Sequence, residues 1–211
     1  MKKVVLTLSL CLFITLESIA QKQIFESPKL KSEIAKQKIV AILPFNVTIS
    51  YKKQPKNFSA EGNHQQEIAY STKIQASMYT FLLRKAGNYT VSFQDVEKTN
   101  ILLKKAGIND KLDQTTKDEV AKILGVDAVI SGNFSVEQTK SEAAALGLMV
   151  LTYGFGGKTG DGNLVMNINN GADGELLWRF TKTMPEGLET STDNLIEKMM
   201  RKVSRNFPYQ K

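Results

Sequence analysis

The stretch Ile39-Val40-Ala41-Ile42-Leu43-Pro44-Phe45 decides the fold. Its first five residues are apolar without interruption and β-branched at three positions, and a proline closes the run. A strand with one wet face alternates apolar and polar residues. A run with no polar position needs apolar cover on both sides, which helices packed on a sheet supply. The starting expectation is therefore an α/β layer.

Outward from that strand, Asn46 to Asn63 is polar, carries Lys52, Lys53 and Lys56 around Pro55, and reads as a loop or excursion. From roughly Gln65 to Lys85, Tyr70, Ile74, Met78, Phe81 and Leu82 recur at steps of three and four and predict a helix with one apolar stripe. Gly87-Asn88 supplies its stop through residues that accept positive φ. Tyr89 to Phe93 alternates as a strand. Asp95 then caps a helix running to about Ala106 and ended by Gly107. Thr116-x-x-Glu119 is a capping box for a short helix whose Val120, Ile123 and Leu124 face inward, with Gly125 as its stop. Asp127 to about Gln138 is a further strand. Leu164–Ile168 and Leu176–Phe180, joined by the turn-rich Asn170–Gly174, form a β-hairpin. Leu195, Met199 and Val203, with Ile196 and Met200, give the apolar face of a closing helix that begins near Thr192. The expected fold class is α/β: a single mixed sheet of about five strands flanked by helices, with a C-terminal hairpin followed by a helix.

The first twenty residues read as an address. Lys2 and Lys3 form a positive start, Val4 to Leu16 is apolar apart from Thr7, Ser9 and Thr15, and Ser18 and Ala20 are small residues at the −3 and −1 positions. This is the pattern of a secretory signal peptide cleaved after Ala20, with a bacterial-looking short start. Cys11 lies inside the apolar stretch and lacks the setting of a lipid-acceptor cysteine. Cleavage would remove it, leaving no thiol to oxidise outside the cytoplasm. The expected division is 1–20 signal peptide, 21–38 a Lys-rich leader over the surface or a short helix, and 39–211 one α/β domain.

Three elements together carry a resemblance: Val40-Ala41-Ile42-Leu43-Pro44-Phe45 followed by the long helix and Gly87-Asn88-Tyr89-Thr90-Val91; Leu124-Gly125-Val126-Asp127-Ala128-Val129-Ile130-Ser131-Gly132; and Gly174-Glu175-Leu176-Leu177-Trp178 after a strand. In this order they resemble the envelope α/β domain shared by the curli-secretion lipoprotein CsgG, the peptidoglycan-synthase activator LpoB and the N-terminal domain of TolB, over about Ile39 to Phe207. The resemblance implies a non-enzymatic domain for binding or assembly at the periplasm or outer membrane. CsgG and LpoB are lipid-anchored, and this chain has no lipobox.

Composition removes much chemistry. The chain has 211 residues, 42% of them hydrophobic, with 28 Lys+Arg against 21 Asp+Glu for a net charge of +7, and one His and one Cys. That is globular composition, without the residues for a zinc cluster, a disulfide framework or a cysteine nucleophile backed by more than one histidine. No cofactor is expected. Gly154-Phe155-Gly156-Gly157-Lys158-Thr159 fails as a phosphate loop: the required earlier glycine is Thr152, and the turn-forming Gly160-Asp161-Gly162-Asn163 follows where a helix should begin. Asp161, Asn163, Asn167, Asn169 and Asp173 fit no register of a calcium loop. His64 reads as a solvated loop residue. Glu97, Asp118, Glu137, Glu142 and Glu175 have no spacing that marks an acid–base pair. Trp178, alternating with Leu176 and Phe180, has core spacing. Sequons begin at Asn46, Asn57, Asn88 and Asn133 and carry no weight behind a bacterial signal.

Two features remain as candidate contact surfaces. Ala143 to Leu151 is the most apolar stretch after the signal and has no polar face. It is too short for a membrane helix, which needs roughly 20 apolar residues. A buried element, an oligomer contact and a lipid contact all stay open. Its contact candidates are Leu146, Leu148, Met149, Val150 and Leu151, with Phe155 in the glycine loop. The second feature is positive charge: Lys22, Lys29, Lys31, Lys36 and Lys38 before the first strand, and Lys52, Lys53 and Lys56 after it. The expected partner is an envelope protein or an anionic envelope polymer, with a homo-oligomer or peripheral membrane contact as further options and no nucleic acid. The functional expectation is a non-catalytic exported binding or assembly module. The alternative is a membrane-associated oligomer or secretion-channel subunit using residues 143–157.

Overall fold

Val40, Ala41, Ile42 and Leu43 are all buried, and they divide between two cores. Val40 and Ile42 join Tyr70, Ile74 and Met78 on one side, while Ala41 and Leu43 join Leu103, Val120 and Leu124 on the other. A computed structural model describes residues 23–56, 58–138, 159–184 and 200–211. The expected signal peptide, Cys11, segment 143–157 and the start of the expected closing helix lie outside the described residues.

The described elements are β1 (Gln23–Glu26), α1 (Leu30–Ile34), β2 (Ile39–Ile42), β3 (Asn46–Tyr51), α2 (Ala60–Leu83), β4 (Ser92–Phe93), α3 (Val96–Lys105), α4 (Lys117–Leu124), β5 (Ala128–Gln138), β6 (Thr159–Asn170) and β7 (Leu176–Met184). Residues 200–204 are helical. The strands form one mixed sheet of seven, in the order β1-β7-β6-β5-β2-β4, with β3 also paired to β5. β2 lies parallel to the first half of β5 and β3 parallel to its second half, while β6 runs antiparallel along β5's other side.

Pro44 explains the break between β2 and β3. It has no N–H to give to the ladder. Ile42 stands opposite Ile130 and Asn46 opposite Asn133, so the β2–β3 side carries one more residue than β5, a bulge at the proline. Leu43 still donates its N–H to the Ile130 carbonyl (2.8 Å). The bulge lays the Phe45 ring on Gly132 of β5, where any Cβ would overlap the ring.

Helix ends follow their sequences. Asp95 accepts from the N–H groups of Glu97 and Lys98 (both 3.0 Å). Thr116 and Glu119 close the capping box, and Gly107 and Gly125 sit at positive φ. Gly87 does not: α2 ends at an Arg84 in right-handed geometry, followed by a 3-10 turn over Ala86–Asn88.

Several expectations need correction. Among the described residues there are seven strands, where about five were expected. Asn46–Tyr51 is a strand, with Val47 and Ile49 buried and Asn46, Thr48 and Ser50 exposed. The supposed leader supplies an edge strand, β1, antiparallel to β7, as well as the short helix α1. The strand expected from Tyr89 to Phe93 is regular only at Ser92–Phe93. Ile123 is 36% exposed, because Ala121 takes the inward position beside Val120 and Leu124. Gly160 to Asn163 is strand rather than turn; Gly162 and Asn163 pair with both β5 and β7, which overrides their local preference. Trp178 is fully buried, stacked on Phe180 and edge-on to Phe207.

The Ala128 end of the sheet is closed by hydrogen bonds from distant parts of the chain. The Asp127 carboxylate accepts from the N–H groups of Lys38 (2.7 Å) and Ile39 (2.9 Å). The last residues form a strap: Thr90 N–H donates to Tyr209 O (2.9 Å), and Lys211 N–H to Asn88 O (3.0 Å). The buried Tyr209 hydroxyl donates to Gln37 Oε1 (2.5 Å), Gln37 Nε2 donates to Asn170 Oδ1 (3.1 Å), and Asn170 Nδ2 to Asp173 Oδ1 (3.0 Å).

The sheet's two faces differ beyond the bulge. α2 and the C-terminal helical residues contribute to the core that takes in Val47, Phe134, Leu164 and Phe180. On the opposite face the register places Phe25, Arg179, Asn167 and Ser131 in one row, Gln23, Thr181, Val165, Asn133 and Asn46 in the next, then Thr183, Asn163, Ser135 and Thr48, and finally Glu137 beside Ser50. All of these side chains are exposed or half-exposed.

Gly132→Ala should destabilise the protein by about 1–3 kcal/mol, the usual cost of overpacking, read by chemical denaturation. Adding Phe45→Leu should recover part of that loss in a double-mutant cycle. A second expectation concerns alkali. Burial pushes the Tyr70 hydroxyl from 10.0 up to about 12 and the Tyr209 hydroxyl higher still. Stability from these neutral phenols is complete below pH 10 and is lost as pH rises through their folded values. A phenolate titration should therefore show ionisation of both tyrosines accompanying unfolding, with Tyr209→Phe shifting the transition.

Candidate functional site

The Gln138 end of the sheet carries the lysine loop and the two residues, Gln138 and Thr159, that flank segment 139–158. β3 ends at Tyr51, opposite Gln138, and β6 begins at Thr159, also opposite Gln138. Segment 52–59 and both flanks of segment 139–158 therefore leave from the same edge. β7 ends close by, with Met184 opposite Gly162.

Lys52, Lys53 and Lys56 are exposed on the connection from β3 to α2. Buried Pro55 pins that connection, and Phe58 donates its N–H to the Pro55 carbonyl (3.1 Å). Phe58, 36% exposed, meets Tyr51 edge-on with centroids 5.7 Å apart. Ser59 then caps α2, its Oγ accepting from Gly62 N–H (3.1 Å). The loop is thus anchored at both ends while its ammonium groups face water.

Two of the lysines near β1 are paired, whereas Lys31 and Lys38, like the loop lysines, are in no salt bridge among the described residues. Lys29 pairs with Glu175 (2.7 Å) and Lys36 with Glu33 (2.8 Å). The Glu175 hydrogen bond and charge hold the Lys29 ammonium above its ordinary value. Among the described residues no salt bridge engages Lys52, Lys53 or Lys56. A further cation pair lies on the α2 side of β7, where burial and then the charge of Lys202 hold Lys182 below its ordinary value.

The sequence reading missed how α2 holds β3. Ile49 turns its backbone groups toward the helix, donating its N–H to Glu67 Oε1 (2.9 Å) and accepting from Asn63 Nδ2 (3.2 Å). Asn63 Nδ2 also donates to Glu67 Oε1 (3.2 Å), and the Tyr51 hydroxyl donates to Asn63 Oδ1 (3.0 Å). Burial, then the Glu67 charge, raises the Tyr51 pKa. An amide and a carboxylate four residues apart on one helix face thus take the place of a neighbouring strand. The only available signal was the Asn63–Glu67 spacing.

The other sequence candidates are placed as follows. His64 is exposed, with Nδ1 3.7 Å from Glu67 Oε2. Asn167 accepts from Arg179 Nε (2.8 Å), Asn169 donates to Gly174 O (3.0 Å), and Asp173 accepts from Asn170 and from Glu175 N–H (3.0 Å). These side chains serve the hairpin. Glu97, Asp118, Glu137 and Glu175 stand on separate segments, and the Thr116 side chain chiefly lowers the Asp118 pKa. Among the described residues no group of three or more His, Cys, Asp or Glu is placed to hold a metal, and no helix is long and apolar enough to cross a membrane. Leu146, Leu148, Met149, Val150, Leu151, Phe155 and Lys158 lie outside the described residues.

No protein-family model matches the chain, and a search of curated protein sequences gives no match. Solved structures similar to it include the PelC dodecamer from Paraburkholderia phytofirmans, at 17% identity and TM-score 0.39, covering 90% of this chain and 96% of that one. Lipoprotein GNA1162 from Neisseria meningitidis is similar at 13% identity and TM-score 0.44, covering 80% and 96%. The LpoB C-terminal domain from Escherichia coli is similar at 9% identity and TM-score 0.34, covering 74% and 93%.

Asn63→Leu should leave the Ile49 carbonyl and the Tyr51 hydroxyl without their partner and cost about 1–3 kcal/mol. Native-state hydrogen exchange should show the Ile49 amide losing protection in Glu67→Leu, while the amides of β2 keep theirs.

Proposed function

We propose that the protein is a non-catalytic binding or assembly module, exported to the bacterial periplasm or the outer membrane, that docks through the Gln138 end of its sheet. The observation carrying this reading is the convergence at that end. Three lysines without an ion-pair partner among the described residues, an exposed Phe58 and both flanks of the apolar segment share one edge. Unpaired cations on an anchored loop attract an anionic polymer or the acidic face of an envelope protein, and a nearby aromatic ring adds apolar contact. The contact residues in this reading are Lys52, Lys53 and Lys56, with Leu146, Leu148, Met149, Val150, Leu151 and Phe155. The signal-like first twenty residues support export, and the ordered motifs from Ile39 to Phe207 support an envelope role. The uninterrupted apolar run 143–151 favours one second reading, a membrane-associated oligomer or secretion-channel subunit.

The chain without residues 1–20 is tested on an immobilised polyanion and with vesicles containing phosphatidylglycerol. Replacing Lys52, Lys53 and Lys56 together by Glu should lower the salt needed for elution. Replacing the exposed Lys98, Lys104 and Lys105 of α3 together by Glu, the same change in net charge, should lower it much less. Equal effects of the two triple variants would overturn docking at this end. Light scattering without detergent decides the second reading: a monomer indifferent to vesicles contradicts it, and a ring that inserts into them overturns the first.

A further inference from the structure

Past the bulge, the side of the sheet away from α2 carries the exposed and half-exposed rows described above. We infer that this face binds a neutral polyhydroxylated chain, a glycan, laid across the strands.

Charge is the first reason. The chain carries a net +7, yet in the rows from Phe25–Arg179–Asn167–Ser131 to Glu137–Ser50 only Arg179 and Glu137 are charged. The rest of the face is side-chain amide and hydroxyl, apart from Val165 and Phe25. The exposed side of α3, by contrast, presents Glu97, Lys98, Lys104 and Lys105 together with Ile101.

Hydrogen-bonding chemistry is the second reason. Amides and hydroxyls both donate and accept, as sugar hydroxyls do, whereas lysine only donates and an ionised carboxylate only accepts. Spacing is the third. Neighbouring strands lie about 4.8 Å apart, so successive side chains of a row meet successive rings of a 1→4-linked sugar chain. The row Phe25–Arg179–Asn167–Ser131 crosses four strands in this way. At its outer end Phe25, 47% exposed, offers an aromatic face for the C–H side of a sugar ring. Arg179 is already oriented by the bond from its Nε to Asn167 Oδ1. Hydrogen-bonded strands fix these positions before a ligand arrives, which reduces the ordering cost of binding.

The test is calorimetric titration of the chain without residues 1–20 against cellohexaose and chitohexaose, two neutral 1→4-linked hexasaccharides. At least one should bind, with an affinity that changes little with salt. Phe25→Ala and Asn167→Ala, both at exposed or half-exposed positions and checked for an unchanged circular dichroism spectrum, should each weaken binding by roughly tenfold. Replacing Lys52, Lys53 and Lys56 by Glu should leave it unchanged, so this result and the polyanion result fail independently. Absence of binding to both sugars would overturn the proposal, as would binding that neither face variant weakens. A stable dimer that Asn167→Arg dissociates would assign the face to a second copy of the chain and overturn it equally.

Discussion

Four consecutive apolar residues that must all leave water can do so in a strand only where both faces of the sheet are covered. Val40 to Leu43 impose that demand, and α2 on one side and α3 with α4 on the other meet it. Pro44 ends it. Past the bulge the same stretch of chain resumes beside β5 as β3, now alternating polar and apolar, and among the described residues only the α2 side has a helix against it. One proline thus divides the sheet into a part with two helical layers and a part with one. Gly132 is the reciprocal concession on β5, lacking a side chain where the bulge sets down Phe45.

The two ends of the sheet are closed by different means. At the Ala128 end, Asp127, Gln37, Asn170 and Tyr209 link segments far apart in sequence through largely buried hydrogen bonds. Buried polar groups linked in this way are costly to disturb singly, because each loss leaves its partner unsatisfied. At the Gln138 end the outer edge of β3 is served by two side chains of α2, Asn63 and Glu67, with the Tyr51 hydroxyl joined to them.

What could be read from the sequence depended on how local its cause was. The two-sided strand, the α2 stripe, the Asp95 and Thr116 caps and the β6–β7 hairpin each rest on residues a few positions apart. β3 was legible in principle, since Val47, Ile49 and Tyr51 alternate, but its lysine-rich continuation drew the whole stretch into one loop. β1 was not legible: four residues become a strand only by pairing with β7, more than 150 positions away. Gly162 and Asn163 show the reverse case, turn-forming residues held extended by partners on both sides. At the candidate site the exposure of Lys52, Lys53 and Lys56 followed from composition. Their lack of ion-pair partners did not, because pairing of Lys29 with Glu175 depends on the hairpin turn approaching α1.

Lys29 and Lys36 have ion-pair partners, whereas Lys52, Lys53 and Lys56 have none among the described residues and extend from the Gln138 end of the sheet. Seven residues of β5 separate Gln138 from Ser131, a distance of about 23 Å at 3.3 Å per residue. The Debye length at physiological salt is about 8 Å. At the Phe25–Arg179–Asn167–Ser131 row the loop's charge is therefore screened away, and the two surfaces select by different physics. The lysine end answers to salt, whereas the open face answers to the shape and hydrogen-bonding pattern of whatever lies on it.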